Sequence, residues 1–294
     1  MSDTPLVARA ADRPLSTRIE VGNPRGPVAP FTVGGHQFVV AAGPCSVEGR
    51  DMLLETARGV RRGGAVLLRG GAFKPRTNPY AFQGLGDEAL DLLAEARAEC
   101  GLAIVTECLD LRHADRIGAI ADMIQVGARN MQNVPLLAAI AAQGKPVLLK
   151  RGSSATIKEL LGAAEYLAVH GNLQVILCER GIRTFETSTR NTLDIAAIPV
   201  LKRETHLPVF VDPSHAAGDA HYVRALARAA MAAGADGLIV EVHPSPATAL
   251  SDGAQSLTLG AFDAMMQELS LLAPALGRSL PTLVAGADTR RHVA

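Results

Sequence analysis

Residues 66–77 read V-L-L-R-G-G-A-F-K-P-R-T, and this is where charge is most densely placed for chemistry. An apolar run of strand length ends in Arg69, Gly70 and Gly71 free the backbone from Cβ constraints, and Lys74, Arg76 and Thr77 follow. Three cations within eight residues, on a loop leaving a buried strand, make a site for a multiply charged anion. Arginine supplies a planar fork of donors and lysine a point charge, the pairing that binds phosphates and carboxylates. Taken alone, the stretch also reads as a solvated charged loop.

Polar residues with chemical potential recur after other apolar runs. They are Gly43, Pro44, Cys45 and Ser46; Glu107; Gln125, Arg129 and Asn130; Lys150 and Arg151; Glu179, Arg180 and Arg183; Asp212, Ser214 and His215; and Glu241 and His243, with Asp252 on the next loop. Two chemistries separate within this set. Arg69, Lys74, Arg129, Lys150 and Arg180 exceed what one phosphate needs, so two anionic groups or two substrates are expected. Cys45, His215, Glu241 and Asp252 combine a thiolate, an imidazole and two carboxylates, a donor set that suits Mn²⁺, Fe²⁺, Zn²⁺ or Co²⁺. Each also has a plain structural reading: Cys45 as a small buried residue, His215 as a loop support. Of Glu241 and His243, Glu241 is taken as the ligand and His243 as structural. Cys100, Cys108 and Cys178 read as core thiols.

Positioning this set requires a scaffold that gathers many loops at one place. Apolar runs of strand length fall at 38–42, 65–68, 103–106, 123–126, 146–149, 175–178, 209–211 and 237–242. Between and after them lie segments with helical spacing, such as Leu90, Leu93, Ala94 and Ala96, or Leu160, Leu161, Ala164 and Leu167. Start signals mark several: Asn133 before Pro135, Thr156 with Glu159, and Asp110 before Leu111. Continuously apolar strands are buried on both faces, as parallel strands are. Eight strands alternating with eight helices predict a (β/α)8 TIM barrel, with an open doubly wound sheet as the structural alternative. In such a barrel the active site lies at the C-terminal strand ends, where the polar residues fall.

The flanks are read separately. Residues 1–30, rich in Pro, Arg and Ala, predict a poorly ordered arm. Residues 31–33 and 37–40 flank Gly34-Gly35 as a short N-terminal hairpin, the catalytic barrel spans 31–272, and 273–294 form a C-terminal tail. Lys plus Arg equals Asp plus Glu at 29 each, which argues against a global field for nucleic acid or an anionic membrane. No apolar run approaches a membrane span, the N-terminus lacks a signal peptide's apolar centre, and a cytoplasmic location is expected. The four scattered cysteines form no C-x-x-C pair and predict free thiols or one metal ligand.

G-P-C-S at 43–46, L-R-G-G-A-F-K-P-R-T at 68–77, G-A-R-N-M-Q-N at 127–133, L-L-K-R-G at 148–152, E-R-G at 179–181, D-P-S-H at 212–215, and V-E-V-H-P with L-S-D-G within 240–253 together resemble the 3-deoxy-D-arabino-heptulosonate 7-phosphate (DAHP) synthases, type I, beta subgroup. The resemblance implies a metal-dependent condensation of phosphoenolpyruvate with erythrose 4-phosphate, the first step of the shikimate pathway to aromatic amino acids. It assigns Cys45, His215, Glu241 and Asp252 to the metal, with Mn²⁺ the first choice over Fe²⁺, Co²⁺ or Zn²⁺. Arg69, Arg129, Lys150 and Arg180 fall where phosphoenolpyruvate binds, Lys74 where both substrates are touched, and Arg76 and Thr77 where the aldose phosphate is held. Lys74 is placed to give a proton to the developing alkoxide, and Glu107 is the candidate for handling the water.

The resemblance also implies a homo-oligomer, tetramer or dimer. The N-terminal arm is too short for the ferredoxin-like or chorismate mutase domain of some relatives, so feedback control through such a domain is expected to be absent. Two rival readings stand beside this one. The sister enzyme makes 3-deoxy-D-manno-octulosonate 8-phosphate from arabinose 5-phosphate and typically reads K-A-N-R-S-S where this chain has Lys74-Pro75-Arg76-Thr77. The other rival is a silent sugar-phosphate-binding barrel, acting as a sensor or as a scaffold for a partner such as chorismate mutase.

Overall fold

The computed structural model describes residues 5–8, 16–23, 26–74 and 78–281. A two-stranded antiparallel hairpin, β1 (Ile19–Val21) and β2 (Phe31–Val33), precedes the barrel. The barrel strands are β3 (Val39–Gly43), β4 (Leu67–Arg69), β5 (Ala103–Glu107), β6 (Met123–Val126), β7 (Val147–Lys150), β8 (Val175–Glu179), β9 (Val209–Val211) and β10 (Gly237–Glu241). All neighbours pair in parallel, and β10 pairs with both β9 and β3, so the sheet closes and the open-sheet alternative is excluded.

The helices are α1 (Arg50–Arg62), α2 (Asp87–Cys100), α3 (Ala114–Ile120), α4 (Val134–Ala141), α5 (Ile157–Val169), α6 (Ala197–Glu204), α7 (Pro213–Ala217), α8 (Ala220–Ala232) and α9 (Leu259–Leu272). Their starts follow local chemistry. The Asn133 side chain accepts from the Leu136 amide, with Pro135 in the first turn of α4. At α5, Thr156 and Glu159 form a reciprocal capping box. Thr156→Ala removes one half of that box, and thermal or urea unfolding is expected to show a loss of about 1 kcal/mol. The short helix α7 is an addition to the eight helices expected. Asp212 accepts from the His215 amide at 2.9 Å with Pro213 next in line, so the D-P-S-H stretch turns helical immediately after β9.

Although the strands are uniformly apolar, their side chains divide by parity. Val39, Ala41, Leu67, Ala103, Val105, Met123, Leu148, Ile176, Cys178, Phe210 and Ile239 fill the barrel interior, whereas Val40, Leu68, Ile104, Leu149, Leu177 and Val240 pack against the helices. The interior set is continuous with Ile19, Val21, Val28, Phe31 and Val33, so the hairpin plugs the end where the strands begin. Gly34 makes this possible, because a Cβ there would lie 2.1 Å from the Thr17 carbonyl oxygen.

Two expectations at the N-terminus are corrected. The hairpin partner of Phe31–Val33 is Ile19–Val21, not the segment at 37–40, whose apolar residues belong to the first barrel strand. Parts of the expected arm are also docked. Leu6 and Val7 donate backbone amides to the Glu165 carboxylate at 2.7 and 3.0 Å, and Ile19 and Val21 are buried. Two buried apolar residues in a three-residue strand are too short a pattern to stand out in a Pro- and Arg-rich segment. At the other end, Ser279 exchanges backbone hydrogen bonds with Phe38 and His36, tying the first part of the tail to the entry of β3. Among the described residues, no helix is long and apolar enough to cross a membrane.

Candidate active site

The parity that turns Leu67, Val105, Met123, Leu148, Phe210 and Ile239 inward carries on to the strand ends. Two residues further along each strand stand Arg69, Glu107, Gln125, Lys150, Asp212 and Glu241, and these therefore face the barrel mouth. Residues of the opposite parity do not. Arg151 and Glu179 point towards the helices, where Arg151 contacts Glu179 at 2.8 Å and Asp194 at 2.9 Å. They belong to the frame of the site, not to its lining. Residues 241 and 243 share parity, but the strand ends at Glu241. His243 turns aside, accepting from the Ser245 amide and lying 3.4 Å from Glu48, which agrees with a structural role. Cys45, Cys100, Cys108 and Cys178 are free thiols.

A cavity of about 470 Å³ occupies the mouth, ringed by six cations: Lys74, Arg129, Lys150, Arg180, Arg183 and Arg190. Glu107, Gln125, Asn191, His215 and Asp252 also reach it. A smaller space of about 30 Å³ lies against Cys45, Arg69, Lys74, Glu107 and His215. Arg69 is thus a floor residue, nearly buried, and it contacts Glu241 at 2.6 Å. Arg76 and Thr77 lie outside the described residues.

Between the two spaces sits a cluster of metal-type donors. One ligand atom each from Cys45, Glu241 and Asp252 lies within 4.8 Å of the others. The Cys45 thiol donates to Asp252 at 3.0 Å, and Lys74 Nζ donates to Cys45 Sγ at 2.8 Å and to the Cys45 carbonyl at 3.1 Å. Burial, reinforced by Glu241, pushes the Cys45 thiol up to about 12. Glu241 is held below the usual carboxylate range: burial opposes its charge, but His215, Arg69 and Lys74 outweigh it. Asp212 is likewise held low against burial by His215 and Lys150. His215 stands beside the trio, with Nε2 3.5 Å from Glu241 Oε1 and Nδ1 2.7 Å from Asp212 Oδ2. A carboxylate on Nδ1 is the arrangement that leaves Nε2 with its lone pair free.

These residues fit a transition ion. Glu241 Oε1 is buried, and in this structure its charge is met by the Arg69 guanidinium at 2.6 Å, so the position is one where positive charge is stabilised. Sulfur, imidazole and carboxylate donors surround it, and a mixed set of this kind selects Mn²⁺, Fe²⁺, Co²⁺ or Zn²⁺ over Mg²⁺.

Sequence reading missed several residues of the site. Arg190 follows a Thr/Ser-rich run without periodicity, and Gln255 lies in a short turn after Asp252; nothing local marks either. Gln125 was collected but given no role, and it donates to Glu107 at 2.8 Å. Asp212, also collected without a role, pairs with both His215 and Lys150.

Fold and site together define a (β/α)8 barrel whose mouth gathers six cations beside a metal-type donor cluster. Comparison with known proteins places it more closely. The sequence model of the DAHP synthetase I family matches residues 24–274, and the chain belongs to that family. It is 52% identical over 264 residues to a phospho-2-dehydro-3-deoxyheptonate aldolase of Thermotoga maritima, covering 90% of this chain and 76% of the relative. A crystal structure of the T. maritima phospho-2-dehydro-3-deoxyheptonate aldolase (DAHP synthase) superposes with a TM-score of 0.90 at 50% identity, covering 96% of this chain and 80% of that one. A 2-dehydro-3-deoxyphosphooctonate aldolase of Acidithiobacillus ferrooxidans is more distant, 31% identical over 80% of this chain and 89% of its own length.

Proposed function

We propose that this protein condenses phosphoenolpyruvate with erythrose 4-phosphate and water to give DAHP and phosphate, at a site that holds a divalent metal, Mn²⁺ first among the candidates. The observation that carries this reading is the ring of six cations around one cavity, set directly against the Cys45, Glu241 and Asp252 donors. Two phosphorylated substrates, one of them also a carboxylate, bring more negative charge than a single-phosphate site handles.

In this reading Arg129, Lys150 and Arg180 hold the phosphate and carboxylate of phosphoenolpyruvate, with Arg69 at the floor of the site. Burial of Arg180 lowers its proton affinity, so an anion arriving there regains charge stabilisation that the free site lacks. Arg76 and Thr77 take the aldose phosphate. Cys45, His215, Glu241 and Asp252 hold the ion, which when bound supplies Lewis acidity towards the aldehyde oxygen. Lys74 Nζ lies between the two spaces and gives its proton to the oxygen of the aldehyde as the new carbon–carbon bond forms. Glu107, held by Gln125, faces both spaces and takes a proton from the water that adds to the phosphate-bearing carbon. Loss of phosphate from that carbon leaves the keto acid. Fixing both substrates in one cavity converts a bimolecular encounter into a positioned reaction.

Phosphate release with phosphoenolpyruvate and either erythrose 4-phosphate or arabinose 5-phosphate, at saturating Mn²⁺, tests the assignment. Turnover confined to the four-carbon sugar is expected. Preference for the five-carbon sugar would move the protein to the sister reaction, and turnover with neither would leave a sugar-phosphate-binding barrel. The homo-oligomer, tetramer or dimer, is likewise proposed from the family. A chorismate mutase partner is proposed with it, and size-exclusion chromatography of the chain with and without that enzyme distinguishes these assemblies.

A further inference from the structure

Gln255 is 2% exposed and makes two hydrogen bonds that run in opposite senses. Its Nε2 donates to Glu241 Oε2 at 2.7 Å, and its Oε1 accepts from Arg190 NH1 at 2.9 Å. Only one orientation of the amide satisfies both. Arginine carries donors alone and an ionised carboxylate acceptors alone, so the oxygen must face Arg190 and the nitrogen must face Glu241. The bond to Nε2 occupies one oxygen of Glu241 and leaves the other, Oε1, facing the cluster, 2.6 Å from Arg69 NH1 and 3.5 Å from His215 Nε2. Arg190, which fixes the amide, lines the anion cavity and lies 3.6 Å from Asp252. A polar chain thus runs from the exposed cavity wall at Arg190 through the buried Gln255 to the donor cluster.

We propose that Gln255 is a positioning residue for the donor cluster: it holds Glu241 by one oxygen so that the other is presented to the ion, and takes its own orientation from Arg190. The role rests on the metal reading above. Partners that orient a ligating carboxylate commonly set the affinity of the site as much as the ligand's identity does. A hydrocarbon in place of the amide removes the donor that holds Glu241 Oε2, and leaves the carboxylate free to turn both oxygens onto Arg69, which already lies 2.6 Å from Oε1.

The test is a Co²⁺ titration of the metal-stripped full-length protein, followed by the thiolate-to-cobalt absorption band, for the parent and for Gln255→Met and Gln255→Leu. Both variants are expected to bind Co²⁺ roughly 10- to 100-fold more weakly, with melting temperatures showing a folded protein. Thr258→Ala, which removes the N-cap of α9 three residues along the chain, controls for a merely structural effect. It is expected to lower the melting temperature and leave the Co²⁺ affinity unchanged. Equal affinity in the parent and the Gln255 variants would overturn the role, as would an equal loss in Thr258→Ala. Absence of Co²⁺ binding by the parent would overturn the metal reading itself, and this role with it.

Discussion

Cys45→Ala is expected to lower the rate of phosphate release by about a thousandfold or more at saturating Mn²⁺, while the protein stays folded. The alanine removes the only sulfur of the proposed ligand set and leaves Asp252 without its 3.0 Å partner. Lys74 keeps its bond to the carbonyl of residue 45, so its position is largely preserved and the loss falls on the ion. Forfeiting roughly 4 kcal/mol of charge stabilisation in the transition state corresponds to that factor. Cys108→Ala is the matching control. Its thiol is likewise buried but packs in the hydrophobic core and donates to the Asp110 carbonyl, so it is expected to change stability slightly and turnover little. If Cys45→Ala retained turnover within tenfold of the parent, Cys45 would be a packing residue and the ligand set would be wrong.

The second large effect concerns stability. Arg151→Met is expected to destabilise the fold by about 3–5 kcal/mol, because it strips the counter-charge from Glu179 inside the protein. Glu179 is fully buried, and besides Arg151 it accepts from the Gly181 amide at 2.6 Å. Burial already raises the Glu179 carboxyl above its ordinary value, with Arg151 opposing that rise. Without Arg151 it rises further. A carboxyl whose folded value lies above its unfolded value costs stability wherever it is ionised in the unfolded chain. The cost disappears once pH falls below the unfolded value, about 4.3. The deficit relative to the parent is therefore expected to be largest at neutral pH and above, and to shrink as pH falls through the raised Glu179 value. Urea unfolding at several pH values measures this, and a deficit independent of pH would contradict it. Because Gly181 follows Arg180, the same ion pair frames the loop that carries one of the proposed phosphate ligands, and a higher KM for phosphoenolpyruvate should accompany the loss.

Much of the barrel was legible because its strands are short, apolar and regularly spaced. All eight runs correspond to strands within a residue or two at either end. What periodicity could not deliver was closure, which depends on the pairing of β10 with β3, nearly two hundred residues away in sequence. The strand-end rule located the site, but applied without parity it also gathered Arg151 and Glu179, whose side chains face outward. Parity was present in the chain: Leu148 to Lys150 and Val147, Leu149 to Arg151 are two interleaved sets, and the apolar members hide the distinction because both faces are buried. Gln255 and Arg190 were illegible for a different reason. Their roles come from a contact across 65 residues between two irregular loops, and no local pattern encodes it. At the N-terminus, composition pointed to disorder where a few backbone hydrogen bonds to Glu165 and a pair of buried side chains suffice to dock the chain.

The most direct test of the account is phosphate release by protein stripped with a chelator, supplied with phosphoenolpyruvate and erythrose 4-phosphate, before and after addition of Mn²⁺. Negligible turnover that is restored by Mn²⁺, with phosphate and a seven-carbon keto acid formed one for one, is the predicted result. Full turnover by the stripped protein, or phosphate release that does not depend on the four-carbon sugar, would contradict it.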